Sequence, residues 1–129
     1  MAKELRVTLP DRPGSLASLA EALGSAGVNI ESLAASTSGG SGDIRIITQD
    51  AAAARRALEG SGVKVAAERD VVTIDLEHRP GALASAARKL ADAGVNIDTV
   101  YVVGESGGRK RLALGVADAE KAKKALGVR

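Results

Sequence analysis

Apolar residues alternate at the start of the chain: Leu5, Val7 and Leu9 are separated by Arg6 and Thr8. A period of two predicts a strand with one buried face. The period then lengthens. Leu16, Leu19, Ala20 and Leu23 recur at i, i+3, i+4 and i+7, the apolar stripe of an amphipathic helix. Pro13 precedes the stripe, where a missing N–H costs nothing, and Gly27 follows it, where a helix end favours positive φ. Val28, Asn29 and Ile30 are expected to open a second strand that runs toward Ala35. The segment Thr37-Ser-Gly-Gly-Ser-Gly42 reads as a loose hairpin loop, and Ile44, Ile46 and Thr48 as a third strand. Asp50 suits the N-cap of a second helix with Ala54, Ala57 and Leu58 turned inward. Val63, Val65 and Ala67 form a fourth strand.

The same order then begins again. Arg12 to Ile30 returns as Arg79 to Ile97, 67 positions later and without a gap, with thirteen of nineteen positions identical. Val72, Ile74 and Leu76 repeat the first strand. Leu83, Ala86, Ala87 and Leu90 repeat the helical stripe, Gly94 its end, and Val95, Asn96 and Ile97 the second strand, running toward Val103. Gly104-Glu-Ser-Gly-Gly108 is the matching loop, and Leu112, Leu114 and Val116 the third strand with one residue inserted. Asp118 caps a helix carrying Ala122, Ala125 and Leu126. Two such units, too few for a solenoid, predict an α+β chain of tandem ferredoxin-like βαββαβ units over residues 1–69 and 70–129. The second lacks most of its last strand, because the sequence reaches Gly127-Val128-Arg129 where that strand is due. A strand from the first unit or from a second chain is expected to cover the edge so left.

Composition narrows the function. Charge is nearly balanced, with 18 Lys and Arg against 16 Asp and Glu, which gives no basic surface for nucleic acid. Tyr101 is the one aromatic residue, too little for base stacking on the strands. The runs Arg109-Lys110-Arg111 and Lys121, Lys123, Lys124 read as solvated faces. No cysteine is present, so disulfides, thiolate metal sites and a Cys nucleophile are excluded, and the lone His78 makes no metal site. No apolar run reaches membrane-spanning length and no secretory leader is visible. The expected location is the cytoplasm.

The candidate chemistry lies in the loop between first strand and first helix. Backbone N–H groups of Gly14, Ser15 and Leu16, and of Gly81, Ala82 and Leu83, are expected as unpaired donors at a helix start, a setting that suits a carboxylate or phosphate. Arg12 and Arg79 stand beside them. Asp11 is expected to cap its own helix, and His78 takes its place in the second copy. Asn29 and Asn96 can both donate and accept. A carboxylate at the helix start and an ammonium met by Asn would describe a free amino acid.

The pattern Asp-Arg-Pro-Gly-x-Leu-Ala, followed by Ala-Gly-Val-Asn-Ile, at Asp11 to Ile30 resembles the ACT domain, and His78 to Ile97 is similar to it again. The resemblance covers nearly the whole chain. It implies regulatory binding of small ligands, most often amino acids, at interfaces between paired ACT units, with tandem units lying side by side and their sheets continuous. The ligand-binding residues it implies are Asp11, Arg12, Pro13, Gly14, Ser15, Leu16, Asn29 and Ile30, and in the second copy His78, Arg79, Pro80, Gly81, Ala82, Leu83, Asn96 and Ile97. Serine-sensing members carry Asn where this chain has His78 and His where it has Leu76. The first copy has Asp11 and Leu9 there, so the chain departs from that pattern in both units.

These readings together describe a non-enzymatic sensor without cofactor, metal or catalytic residue. Its expected partners are an amino acid, a second copy of the chain in a homodimer, and a protein that it regulates, with no nucleic acid and no membrane. The alternative is an assembly module whose ligand site is vestigial. An acylphosphatase-like enzyme is less favoured: Arg12 and Asn29 suit it, but its glycine-rich loop is absent and Pro13 removes a donor.

Overall fold

The computed structural model describes residues 2–128. The described residues divide into two compact units, Ala2–Arg69 and 70–128. In the first, β1 (Ala2–Pro10), α1 (Ser15–Ser25), β2 (Ser32–Ser38), β3 (Ser41–Thr48), α2 (Ala51–Gly60) and the beginning of β4 (Val65–Glu77) follow one another. The sheet order is β2-β3-β1-β4, that of the split βαβ unit. β3 pairs antiparallel with both β1 and β2. Leu5, Val7 and Leu9 meet Ile44, Ile46, Leu19, Leu23, Ala54, Leu58 and Val65 in one core. Thr8 and Arg6 face out, as the alternation requires.

The second unit repeats the scheme with the rest of β4, then α3 (Ala82–Asp92), β5 (Ile97–Ser106), β6 (Arg109–Val116) and α4 (Ala119–Leu126). β6 pairs antiparallel with β4 and β5. Its core is Val72, Ile74, Ala86, Leu90, Val95, Leu112, Leu114, Val116 and Ala122. No further strand follows α4 among the described residues, and Arg129 lies outside them. The inserted residue appears as register shifts in the β5–β6 ladder, between Ile97 and Thr99 and between Val102 and Gly104.

Local chemistry sets most element ends. The Asp50 carboxylate accepts from the Ala53 N–H at 2.9 Å, and Asp118 from Lys121 at 3.0 Å, each satisfying an orphan donor of its helix. Three expectations are corrected. The hairpin loops are tight rather than loose: Gly39-Gly40 and Gly107-Gly108 are two-residue turns with both φ positive, the geometry that matches strand twist. Val28, Asn29 and Ile30 do not open a strand, because Val28 N–H bonds Leu23 C=O at 2.9 Å and Gly27 N–H bonds Gly24 C=O at 3.0 Å. These two bonds are a Schellman motif. Val95 and Gly94 close α3 on Leu90 and Ala91 in the same way. The Ala-Gly-Val stretch is thus a helix stop in both copies, and strand pairing begins only beyond it. Finally, Leu16 and Leu83 are not core residues; they are 49% and 47% exposed at the first turn of their helices.

Candidate functional site

Each strand-to-helix loop is tied to the hairpin turn at the same end of its unit. Asp11 N–H bonds Gly40 C=O at 3.0 Å, and His78 N–H bonds Gly108 C=O at 2.8 Å. Gly14 and Gly81 are the N-caps, with φ of 91° and 85° and no side-chain cap bond. Asp11 therefore does not cap α1. A Cβ at either glycine would meet nothing within 4 Å, so glycine is required there by its left-handed conformation. The donor set is also smaller than expected. Ser15 N–H bonds Arg12 C=O and Ala82 N–H bonds Arg79 C=O, both at 3.3 Å.

In the first unit a pocket of about 270 Å³ lies between this loop and the hairpin. Leu9, Leu16, Ala35 and Ile44 supply its apolar wall; Asp11, Arg12, Ser15, Ser36 and Thr37 its polar groups. Arg12 makes no ion pair among the described residues, while other arginines of the unit are engaged, Arg6 with Asp43 at 2.8 Å and Arg55 with Glu59 and Glu68 at 3.1 Å each. Of the residues expected here, Asp11, Arg12, Ser15 and Leu16 line the pocket. Pro13 and Gly14 shape the loop beside it.

Asn29 is elsewhere. Its carbonyl accepts from Thr48 Oγ1 at 3.0 Å, and it lines a separate pocket with Gly27, Glu31, Thr48, Gln49 and Asp50. The eleven residues of α1 put about 16 Å between the two ends, so within one unit Asn29 and Arg12 cannot grip one amino acid. Asn96 follows α3 in the same way, and Ile30 and Ile97 pack against their own cores. The sequence reading missed the hairpin side of the pocket, Ala35, Ser36, Thr37 and Ile44, which only the strand register brings to the loop.

In the second unit Arg79 Nε donates to Glu77 Oε2 at 2.6 Å, and Arg111 Nε to Asp75 Oδ1 at 3.0 Å. The hydrogen bonds from Arg79 and Arg111 hold the Glu77 and Asp75 carboxyls below the usual carboxylate range. A carboxyl depressed in the folded state adds stability above its unfolded pKa of about 4, and loses it as pH falls through the folded value. The expected result is that Asp75→Asn and Glu77→Gln, followed by urea midpoints from pH 5 to pH 2.5, each flatten the acid limb of the stability curve. Unchanged limbs would show that the pairs contribute nothing in solution. Pro80 and Gly81 hold the loop, Ala82 is buried, and Leu83 and His78 are exposed.

Among the described residues no cluster of His, Asp and Glu is placed to hold a metal, and no helix is long and apolar enough to cross a membrane.

Residues 3–59 match the ACT domain family model. No protein of curated function matches the chain by sequence. Among solved structures, protein BT0572 from Bacteroides thetaiotaomicron is similar at 26% identity and TM-score 0.88, over 97% of this chain and 85% of that one. The regulatory subunit of aspartate kinase from Thermus flavus is similar in fold at 20% identity and TM-score 0.70, over 98% and 90%. Its counterpart from Thermus thermophilus, in a ligand-free form, gives 22% and 0.71, over 98% and 89%.

Proposed function

We propose that the chain, whose residues 3–59 match the ACT domain family model, is a non-enzymatic regulatory protein of the cytoplasm that binds a free amino acid at the strand-to-helix loop. The observation that carries this reading is Arg12: a cation without an ion-pair partner among the described residues, beside a pocket with an apolar wall and a hydroxyl rim. An arginine fork pairs well with a carboxylate, and Asp11 at the same rim offers a counter-charge for an ammonium. The pocket is just below the ~300–1,000 Å³ of drug-sized sites, which suits a small metabolite. The shared fold with regulatory subunits of aspartate kinase supports a regulatory role, exercised as a homodimer and on a protein partner whose affinity changes with ligand.

A second reading, an assembly module with a vestigial site, draws on the exposed Leu16 and Leu33 of the first unit and Leu83, Val100 and Val102 of the second. An acylphosphatase-like enzyme is not proposed, because Arg12 and Asn29 stand at opposite ends of α1 and cannot act on one phosphate.

The test is calorimetric titration of ligand-stripped protein with the twenty amino acids, after a thermal-shift screen. A true ligand at 100 times its Kd stabilises the native state by about 2.7 kcal/mol. Arg12→Gln is expected to weaken the hit at least tenfold, about 1.4 kcal/mol. Silence across the set at millimolar concentration would leave the assembly module as the better reading.

A further inference from the structure

The two copies share a topology but differ around their loops, and the strand ladders make the comparison position by position. In the first unit Leu9 pairs with Gly42, Ala35 with Ile44 and Thr37 with Gly42. In the second Leu76 pairs with Lys110, Val102 with Leu112 and Glu105 with Lys110. Residues directly opposite in a ladder share a face, and Leu9, Ile44, Leu76 and Leu112 all pack on the helix-side cores. The helix-side mouth beside the loop is therefore built from Ala35, Thr37 and Gly42 in one copy and from Val102, Glu105 and Lys110 in the other. The first set leaves space. The second carries bulkier residues at these positions, two of them charged.

Charge differs in the same direction. The residue that ends β1 is Pro10; its counterpart is Glu77, which takes Arg79 at 2.6 Å. Arg79 thus has an internal carboxylate at the place where Arg12 has none among the described residues. Ser15, a hydroxyl on the pocket rim, is replaced by Ala82. The second unit does hold a cleft of about 260 Å³ at its own loop, lined by Leu76, Glu77, Arg79 and Ala82, the counterparts of Leu9, Pro10, Arg12 and Ser15. It runs on toward Ala86, Leu126 and Val128, with no residue of β5 in its wall. The two pockets share the loop side and differ on the strand side, where the first has Ala35, Ser36 and Thr37 and the second has nothing of β5.

We propose that the copies have diverged into one receptive unit and one whose loop arginine is already neutralised from within: the first alone binds ligand, an amino acid with a neutral, short aliphatic side chain. Its carboxylate meets Arg12, its ammonium Asp11, and its side chain Leu9, Leu16, Ala35 and Ile44. A charged side chain would find no counter-ion, since Asp11 and Arg12 are the only charged groups lining the pocket and the zwitterion engages both. Thr37 and Gly42 act as specificity-determining positions, because bulk and charge there reproduce the second copy.

This inference rests on the amino-acid reading above, and calorimetry of the full chain separates the two. The expected stoichiometry is one ligand per chain, with an aliphatic amino acid giving the tightest binding. Arg12→Gln and Gly42→Lys should each weaken binding at least tenfold, whereas Arg79→Gln should leave it within twofold. A Cβ at Gly42 would make only an ordinary 3.5 Å contact with the Leu9 carbonyl, and Arg12 is exposed, so at least one of the two blocking variants will fold normally. Two ligands per chain, or loss of binding in Arg79→Gln with retention in Arg12→Gln, would overturn the inference and leave the amino-acid reading standing. No binding by any of the twenty would overturn both.

Discussion

Replacing both arginines that hold Glu4, as Arg45→Met with Arg69→Met, is expected to lower the stability of the first unit by about 3–5 kcal/mol. Glu4 is 1% exposed and takes Arg45 Nη1 and Arg69 Nε at 3.2 Å each, while the two arginine side chains keep 22% and 30% of their surface in water. The buried charge is the carboxylate. Stripping these two cations withdraws support from a desolvated anion, whereas Glu4→Gln leaves two arginines that keep part of their surface in water, so the glutamine variant should lose much less. Adding Glu4→Leu to the double variant should recover most of the loss, because an apolar side chain has no charge to desolvate. Urea unfolding followed by circular dichroism reads all three. A double variant within 1 kcal/mol of the parent would mean that the carboxylate is solvated in the native state.

Leu23→Ala and Leu90→Ala, equivalent positions in the two copies and both 0% exposed, are each expected to cost about 2–5 kcal/mol. Each leucine sits at the last packed turn of its helix, accepts through its carbonyl the bond that closes the Schellman motif, and touches its own core. Truncation removes transfer energy and leaves a cavity beneath Val28 or Val95. Leu16→Ala and Leu83→Ala are the contrast. They belong to the same helical stripes by sequence, yet about half their surface is in solvent, so losses near 0.5 kcal/mol are expected. Equal losses at Leu16 and Leu23 would mean that Leu16 is buried in solution by something else.

That contrast also marks how far local pattern reaches. Period two along Leu5–Leu9 and Val72–Leu76 identified strands and their buried face, and period 3.6 identified α1 and α3. Periodicity gives a face, however, and not the point along a helix where the packed surface ends; Leu16 and Leu83 fall beyond it. The Asn29 position misled for a local reason, since a helix stop and a strand start share the same small and β-branched residues. The pocket needed register. That Gly42 lies opposite Leu9, and Lys110 opposite Leu76, follows from two-residue hairpin turns at Gly39-Gly40 and Gly107-Gly108, which glycine-rich composition alone does not distinguish from longer loops. By its alternation with Leu5, Glu4 falls on the outward face of β1. Its burial depends on Arg45 and Arg69, 41 and 65 positions away, and no window along the chain contains all three.

The bond from the Asp11 amide to the Gly40 carbonyl fixes the loop to the hairpin before any ligand arrives. A cradle held in this way surrenders little freedom when it is filled, so ordering costs do not erode affinity. It also has little room to change shape. An occupant would then alter the composition of the exposed face around Leu16 more than its contour, and a partner docking there would recognise the ligand's own atoms as part of the surface.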